Sequence, residues 1–281
     1  MSLLFLARRF VAGETFEDVV PVVRRLNERG LHATVNMLGE HVKDRAAAVR
    51  AAREYLTVLD HIQRTGVDSN LSIKPTQMGL EISDEFCYQT LLPVVARAAE
   101  YGIFVRLDME GSAYTQRTLD LFFRLYEHYR NVGVVIQAYL YRSERDIDEL
   151  NRVRARVRLC KGAYKEPARI AYQKMDEIRK NFLKLAEKLL LHGHYPALAT
   201  HDDRLIEPIK RMVAEKGIGR DQFEFQMLYG LRPEAQERMA QEGYHLRVYV
   251  PYGPHWLPYF YRRLRERKEN VWFVLKALFK G

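Results

Sequence analysis

The chain has 281 residues, 47% of them hydrophobic, and its 45 basic and 36 acidic side chains give a formal net charge of +9. This length and composition fit one α/β domain with a large apolar core. Two cysteines, Cys87 and Cys160, are too few for a disulfide framework, and no stretch of about 18 uncharged apolar residues predicts a transmembrane helix. We therefore expect a cytosolic protein, with peripheral membrane contact left open. The basic residues are spread along the chain and are expected on solvated helix faces.

The first half of the chain alternates between helical and strand spacing of its apolar residues. Apolar positions three or four residues apart predict a first helix over 14–29, which ends at Gly30. The predicted elements that follow are a strand at 32–39, a helix at 43–65, a strand at 70–75, a helix at 83–101 and a strand at 103–110. Pro75 ends the second strand because it cannot donate to a central ladder.

The second half repeats the alternation. Its predicted elements are a helix at 115–130, a strand at 132–139, a helix at 144–152, a strand at 155–161, a helix at 168–191, a strand at 196–201, a helix at 204–216, strands at 222–228 and 245–251, and a helix at 257–267. Eight strands that alternate with helices predict a closed (βα)8 barrel, with a doubly wound open sheet as the alternative. No Gly-x-Gly-x-x-Gly follows the first strand, which disfavours the open sheet.

No linker or low-complexity stretch divides the chain, so we predict a single barrel. The barrel domain is assigned to residues 31–281, which include the C-terminal helix, and residues 1–30 are assigned to an N-terminal helical arm.

The end of the strand at 155–161 combines charge, glycine and tyrosine. Arg158 and Lys161 bring positive charge to the carboxyl end of the strand, Gly162 allows the backbone to come close to a bound group, and Tyr164 adds a hydroxyl. In a parallel barrel such a strand end suits a phosphorylated or redox cofactor. A surface loop after a strand explains the same stretch equally well.

Most of the predicted strands end in groups that can form hydrogen bonds. These strand-end residues are Lys74, Asp108 with Met109, Gln137, Arg158 with Lys161, Thr200 with His201, Gln226 and Tyr249. The active site of a (βα)8 barrel lies at the carboxyl ends of its strands, so these side chains are expected to converge. Taken singly they have structural explanations: the glutamines tie loop backbones, His201 and Asp202 cap a helix, and Lys74 forms a salt bridge with Asp108.

The last predicted helix carries two adjacent arginines in the aromatic segment Trp256-Leu-Pro-Tyr-Phe-Tyr-Arg-Arg-Leu. Guanidinium groups bind carboxylates through two hydrogen bonds, so Arg262 and Arg263 are candidates for holding an anionic substrate group. Pro258 is compatible with the first turn of that helix. The alternative is a basic surface helix, to which Arg265 and Arg267 would contribute.

Several chemistries lack their sequence signals. The chain has no Cys-x-x-Cys and no His-Glu-x-x-His, so no metal site is predicted. No Gly-x-Ser-x-Gly elbow and no phosphate-loop glycine run occur. Basic and aromatic residues do not interleave along one strand face, so nucleic acid is not an expected partner.

Eight motifs, in their order along the chain, resemble those of the FAD-dependent proline dehydrogenases, most of all the short bacterial monofunctional form. They are Ser72-Ile-Lys-Pro-Thr, Arg106-Leu-Asp-Met-Glu, Gln137-Ala-Tyr-Leu, Arg158-Leu-Cys-Lys-Gly-Ala-Tyr, Ala199-Thr-His-Asp, Phe225-Gln-Met-Leu-Tyr-Gly, Tyr249-Val-Pro-Tyr-Gly and Tyr259-Phe-Tyr-Arg-Arg-Leu. The resemblance covers about residues 31–275, and the first 30 residues match less well. It implies a distorted (βα)8 barrel that oxidises L-proline to Δ1-pyrroline-5-carboxylate, with electrons leaving FAD for a membrane quinone.

The resemblance also implies a role for each strand-end residue. The residues that would line the FAD are Met109, Gln137, Arg158 (near the flavin N5), Lys161, Gly162, Ala163, Thr200, His201 and Gln226. The residues that would bind proline are Arg262, Arg263 and Lys74 at the carboxylate, and Asp108, Tyr164 and Tyr249 around the ring. Asp108 and Arg158 are the predicted catalytic residues. Cys160 stands where the family often has valine.

Two other functions remain open at this stage. One is a Schiff-base aldolase or lyase on the same barrel, with Lys74 or Lys161 as nucleophile. The other is a basic scaffold that binds RNA or a membrane surface. Membrane docking of the enzyme itself would use the apolar start at residues 3–6 or the tail at 272–279, where apolar residues recur at helical spacing. The tail would otherwise pack across the barrel or cover the substrate pocket.

Overall fold

Eight parallel strands close into a barrel in which each strand pairs with the next along the chain and the last pairs with the first. This computed structural model describes the backbone of residues 7–266 and the side chains of residues 7–261. The strands are β1 (His32–Met37), β2 (Ser69–Ile73), β3 (Val105–Leu107), β4 (Val132–Gln137), β5 (Val157–Cys160), β6 (Ala197–Ala199), β7 (Glu224–Leu228) and β8 (His245–Tyr252). The predicted (βα)8 barrel is therefore confirmed, with strands of uneven length.

Helices connect the strands and cover the outside of the barrel. Among the described residues they are α1 (Phe16–Asn27), α2 (Arg45–Thr65), α3 (Asp84–Glu100), α4 (Ser112–Tyr126), α5 (Ser143–Arg152), α6 (Met175–His192), α7 (Asp203–Glu215), α8 (Pro233–Gln241) and α9 (Trp256–Glu266), with a 3-10 turn at Pro75–Met78. Their buried faces meet the outward-facing Val, Ile and Leu of the strands in one continuous core. No helix in this part of the chain is long and apolar enough to cross a membrane.

Helix boundaries follow local capping chemistry. Asp44 precedes α2 and accepts hydrogen bonds from the backbone N–H groups of Ala46 and Ala47. Such caps satisfy donors that have no partner within the helix. The same helix ends at Gly66, whose φ of 64° is the left-handed conformation that glycine adopts without steric cost.

Two helices differ from the sequence prediction. The helix expected from residue 168 begins at Met175, because the backbone before it pairs with the loop after β4. Tyr172 N–H donates to Tyr139 O at 2.8 Å and Tyr141 N–H donates to Ile170 O at 3.0 Å. Helix α8 was not predicted at all, and it is only nine residues long.

The interior of the barrel contains buried charge as well as apolar side chains. Arg106, Glu224 and Arg247 are 2%, 0% and 6% exposed. Arg106 Nη1 donates to Arg156 O at 2.7 Å, while Arg247 Nε contacts both carboxylate oxygens of Glu224 at 3.1 and 3.0 Å. A buried charge is tolerated only when it is paired and hydrogen-bonded, so these contacts allow the barrel to hold ionised groups in its core.

The first described residues pack on the end of the barrel where the strands finish. Ala12 N–H donates to Pro251 O and Gly253 N–H donates to Gly13 O, both at 2.9 Å. A small apolar cluster joins this segment to α9, and its members include Phe10, Val11 and Phe260. The N-terminal segment and α9 therefore support each other beside the carboxyl ends of the strands.

Candidate active site

A cavity of about 1010 Å³ opens at the carboxyl ends of the strands. Its wall contains the predicted site residues whose side chains are described: Lys74, Asp108, Met109, Gln137, Arg158, Lys161, Gly162, Ala163, Tyr164, Thr200, His201, Gln226 and Tyr249. Small-molecule sites span roughly 300–1,000 Å³, so this one has room for a dinucleotide together with a small substrate. The convergence expected from the strand ends is present.

Asp108 is the centre of the polar contacts in the cavity. It follows β3, and its Oδ1 accepts a hydrogen bond from Arg158 Nη1 at 2.7 Å. Its Oδ2 accepts one from the Tyr249 hydroxyl at 2.8 Å. Lys74 Nζ is 4.0 Å from the same oxygen, so the suggested Lys74–Asp108 pair exists but is the loosest of the three contacts. Arg158 is also held by Ser72, whose hydroxyl oxygen accepts from Nη2 at 2.9 Å.

Tyr249 is a permanent hydrogen-bond donor in this cluster. Burial, and then the negative charge of Asp108, raise the pKa of the tyrosine well above its ordinary value. The phenol is therefore protonated at neutral pH and donates a hydrogen bond to Asp108. The guanidinium carbon of Arg158 lies 5.4 Å from the centre of the Tyr249 ring, which adds a cation–π contact. The three side chains form one rigid group.

Gln137 connects two loops of the cavity wall. Its Nε2 donates to Glu110 O at 2.9 Å, and its Oε1 accepts from Ala163 N–H at 3.3 Å. The structural explanation offered for this glutamine is therefore correct, although the residue also lines the cavity. Its amide fixes the loop that follows β5, which carries Lys161 to Tyr164.

Gly162 is required to be glycine by its own surroundings in the protein. Its φ is 122°, and a Cβ at this position would lie 2.4 Å from the ring of Tyr139. A side chain of the same protein, which packs against the loop, therefore requires glycine at this position. Gly162 still forms part of the cavity wall.

The turn after β6 brings basic groups to the start of α7. Asp202 caps this helix by accepting from Arg204 N–H, as the structural alternative for that residue proposed. Burial raises the pKa of Asp202, but hydrogen bonds from Arg179 at 2.8 Å and Lys161 at 3.1 Å outweigh it and lower the pKa to about 2. The carboxylate is therefore ionised and holds two cations at the cavity wall.

His201 does not belong to the cap. Its Nε2 accepts a hydrogen bond from Leu228 N–H at 2.8 Å, and its backbone oxygen accepts from Arg232 Nη1 at 2.6 Å. These contacts tie the end of β6 to the end of β7 and position Arg232 beside the cavity.

The cavity has features that fit a flavin dinucleotide. Three buried polar atoms of its lining have no hydrogen-bond partner among the described residues: Asn36 Oδ1, Arg158 Nε and Gln226 Oε1. Buried polar groups normally have partners, so these atoms suit the polar edge of a bound ring. The amino end of α7 with its neighbouring basic side chains suits a pyrophosphate. The residues present therefore fit the cofactor that the resemblance implies.

The lining residues that the sequence analysis did not single out include Asn36, Arg179 and Arg232. Asn36 is the residue before the last of β1, whereas the predicted strand ran on to Gly39, so its polar side chain was not recognised as a strand-end group. Arg179 lies inside α6 and Arg232 in the loop before α8, and neither position carries a local signal. Their place at the cavity follows from long-range contacts with Asp202 and Asp203.

The two arginines expected to bind the substrate carboxylate lie on the last described helix. Arg262 and Arg263 belong to the backbone of α9, but their side chains lie outside the described residues. Tyr259, one turn earlier on this helix, lines the cavity. The predicted apolar tail at 272–279 and the start at residues 3–6 also lie outside the described residues.

Comparison with known proteins gives a consistent set of relatives. A sequence model of the family described as proline dehydrogenase matches residues 19–276. Proline dehydrogenase 1 of Bacillus subtilis subsp. natto is 44% identical over 274 residues, which cover 98% of this chain and 91% of that protein. The proline dehydrogenase of Deinococcus radiodurans is 38% identical over 281 residues, with coverages of 98% and 91%.

A solved structure shows the same architecture. The crystal structure of proline utilization A from Bdellovibrio bacteriovorus, inactivated by N-propargylglycine, superposes with a TM-score of 0.87 at 26% sequence identity. The match covers 93% of this chain and 32% of the larger protein, so this chain spans about a third of that relative's length.

Proposed function

This chain belongs to the proline dehydrogenase family, and from that premise we propose that it oxidises L-proline to Δ1-pyrroline-5-carboxylate with FAD as hydride acceptor and a quinone as the next acceptor. The observation that carries the proposal is the cluster of Asp108, Arg158 and Tyr249 in the wall of a cavity large enough for both cofactor and substrate. The family that the eight motifs suggested is confirmed by the family model and by relatives that are 44% and 38% identical.

FAD, when bound, supplies an N5 atom that accepts the hydride from C5 of proline. Arg158 would hold Asp108 in place and would carry a fixed positive charge in the wall. Its Nη atoms are held by Asp108 and Ser72, which leaves Nε directed to neither of these partners. A fixed guanidinium in a buried site stabilises negative charge that develops next to it, without reorganising during the reaction.

Asp108 and Tyr249 would shape the pocket for the proline ring. Because Arg158, Tyr249 and Lys74 all lie within 4.0 Å of its oxygens, the Asp108 carboxylate is held in one orientation. The Tyr249 ring offers an apolar face to the methylene groups of the substrate. Fixing the substrate at near-attack distance is the main contribution that such a wall makes to a hydride transfer.

The substrate carboxylate requires cationic partners. We assign this role to Arg262 and Arg263 of α9, together with Lys74, which lines the cavity. Arginine pairs bind carboxylates through two parallel hydrogen bonds, which fixes direction as well as charge. Helix α9 would therefore orient the amino acid with its ring towards Tyr249.

The aldolase alternative is disfavoured by the surroundings of its two candidate lysines. Lys161 donates to Asp202 at 3.1 Å, and Lys74 lies 4.0 Å from Asp108. An ion-paired ammonium group has no free lone pair, whereas a Schiff-base lysine must be deprotonated to attack a carbonyl.

The function is tested by the colour of the purified protein. The proposal expects a yellow protein with a flavin spectrum that is bleached by anaerobic L-proline. A colourless protein, or a flavin that L-proline does not reduce, would overturn it. Covalent trapping of a ketone substrate by borohydride would instead support the aldolase.

Transfer to a membrane quinone is tested separately, by deleting residues 271–281. If this tail docks on the membrane, vesicle binding and quinone turnover should fall while turnover with a soluble dye persists. Equal loss with both acceptors would show that the tail is structural.

A further inference from the structure

A buried ion pair joins Glu224 of β7 to Arg247 of β8, and β7 also carries a residue that lines the cavity. Glu224 is the first residue of β7 and is fully buried. Both of its carboxylate oxygens contact Arg247 Nε, and Arg247 Nη1 donates onwards to Ala33 O at 2.8 Å. The carboxylate is thus fixed by a side chain that is itself tied to a neighbouring strand.

Gln226 lies two residues further along β7 and therefore points to the same side of the sheet as Glu224. It lines the cavity, is 3% exposed, and its Nε2 donates to Glu224 Oε1 at 2.5 Å. The other atom of its carboxamide, Oε1, is buried and has no hydrogen-bond partner within residues 7–261. An unpaired buried acceptor of this kind destabilises a protein unless a ligand satisfies it.

The charge of Glu224 determines which way the carboxamide faces. Burial raises the pKa of Glu224, but the positive charges of Arg247 and Arg106 outweigh it and hold the pKa below the ordinary value. An ionised carboxylate only accepts hydrogen bonds, so the NH2 group of Gln226 must face it. The oxygen is then obliged to face away from Glu224.

We propose that Glu224 is a positioning residue, which with Arg247 fixes the carboxamide of Gln226 so that its oxygen accepts a hydrogen bond from an N–H group of the molecule bound in the cavity. This inference rests on the proposed function, which supplies two N–H donors. Oxidised flavin has a single ring N–H, at N3, and proline has its secondary amine. Without the carboxylate, the amide could turn its NH2 group towards the ligand and repel either donor.

The experiment measures selectivity for the N–H group and not turnover. Holoenzyme is exchanged in mild chaotrope against equal concentrations of FAD and 3-methyl-FAD, returned to native buffer, and its bound flavins are quantified by mass. In a second arm, rapid mixing gives the affinity ratio between L-proline and its analogue with a ring oxygen in place of the N–H. The variants are Q226M, E224Q and E224D. Q77M is the matched control, since Gln77 is a buried glutamine (4% exposed) that does not line the cavity.

The expected result is a preference for the N–H ligand that falls about tenfold in Q226M and E224Q, as the loss of one hydrogen bond implies. The fall is smaller in E224D, which keeps a charge for Arg247 but withdraws it by one methylene, and Q77M keeps the wild-type ratio. Methionine and glutamine have similar volumes, so any selectivity caused by the bulk of the methyl group remains in Q226M. The arm that responds identifies the donor as flavin or proline.

Two outcomes overturn the inference. In one, Q226M keeps both wild-type ratios, which shows that its oxygen is not the acceptor. In the other, Q226M loses selectivity while both Glu224 variants retain it, which removes the positioning role. If E224Q does not fold, E224D decides the second point alone. If the wild-type protein binds neither flavin, the proposed function itself is overturned. That outcome differs from the two that overturn this inference, in which the wild-type protein binds flavin.

Discussion

Replacing Tyr249 by phenylalanine isolates one of the contacts that hold Asp108. The variant keeps the buried ring and removes only the hydroxyl that donates to Oδ2 at 2.8 Å. A hydrogen bond to a charged group contributes about 1.5–3 kcal/mol. Arg158 still holds the carboxylate at 2.7 Å and Lys74 lies at 4.0 Å, so we expect the lower part of this range to be lost. At ~1.4 kcal/mol per factor of ten, the rate of flavin reduction should fall about 10–30-fold.

The assay is anaerobic rapid mixing with L-proline, followed at the flavin absorbance band. Tyr252 provides the matched control, because it is a buried tyrosine on the same strand whose hydroxyl has no hydrogen-bond partner among the described residues. Tyr252→Phe should leave both the reduction rate and the flavin content close to wild type. If Tyr249→Phe reduces its flavin as fast as Tyr252→Phe does, Asp108 is not held by this hydroxyl and the reasoning fails.

Three further predictions concern the substrate, the loop after β5 and the start of α7. Arg262→Met or Arg263→Met should raise KM for proline about 10–100-fold with little change in flavin content, because a charged hydrogen bond to the carboxylate is lost. Gly162→Ala should lower the thermal midpoint, since its Cβ would lie 2.4 Å from the Tyr139 ring at a φ of 122°. The stability difference between wild type and Asp202→Asn should be constant above about pH 5 and shrink as the pH falls from 3.8 towards the folded-state pKa of about 2, because a depressed carboxyl pKa stabilises only while the group is ionised.

Each of these has a control on the same chain. Arg265→Met removes a charge from the same helix and should not change KM. Gly253→Ala has nearly the same φ, 123°, but its Cβ would lie no closer than 3.4 Å to a neighbouring atom, so it shares the backbone strain of Gly162→Ala without the clash. Equal losses in the two glycine variants would show that the contact with Tyr139 is unimportant. A difference between wild type and Asp202→Asn that is independent of pH from 5 to 2 would contradict the depressed pKa of Asp202.

The barrel could be predicted from sequence because its signals are local. Short apolar runs bounded by glycine and proline gave the strands, and polar residues at strand ends gave the lining of the cavity, since parallel strands finish at one end of a barrel. What the sequence could not give depends on contacts between distant residues. The start of α6 is set by Tyr139 pairing with Tyr172, and the need for glycine at 162 is set by the same tyrosine.

For the site, too, the sequence predicted individual residues but not the contacts between them. Asp108 and Arg158 were identified as strand-end groups, but their mutual contact at 2.7 Å was not, and Lys74 was named as the partner instead. Arg179 carries no sign of its role because an arginine on an amphipathic helix is ordinary. Only the fold reveals that it reaches Asp202.

The pairing of β1 with β8 has a consequence for synthesis of the protein on the ribosome. Ala33 pairs with Val248, so the first strand to emerge must wait for the last before its outer edge finds a partner. Long-range pairing of this kind slows folding, and an unpaired edge is open to other chains in the meantime. Phe10 likewise belongs to the same cluster as Phe260, almost at the far end of the chain. Nascent chains therefore depend on late residues both to close the sheet and to complete the cavity wall, and truncated translation products would lack both.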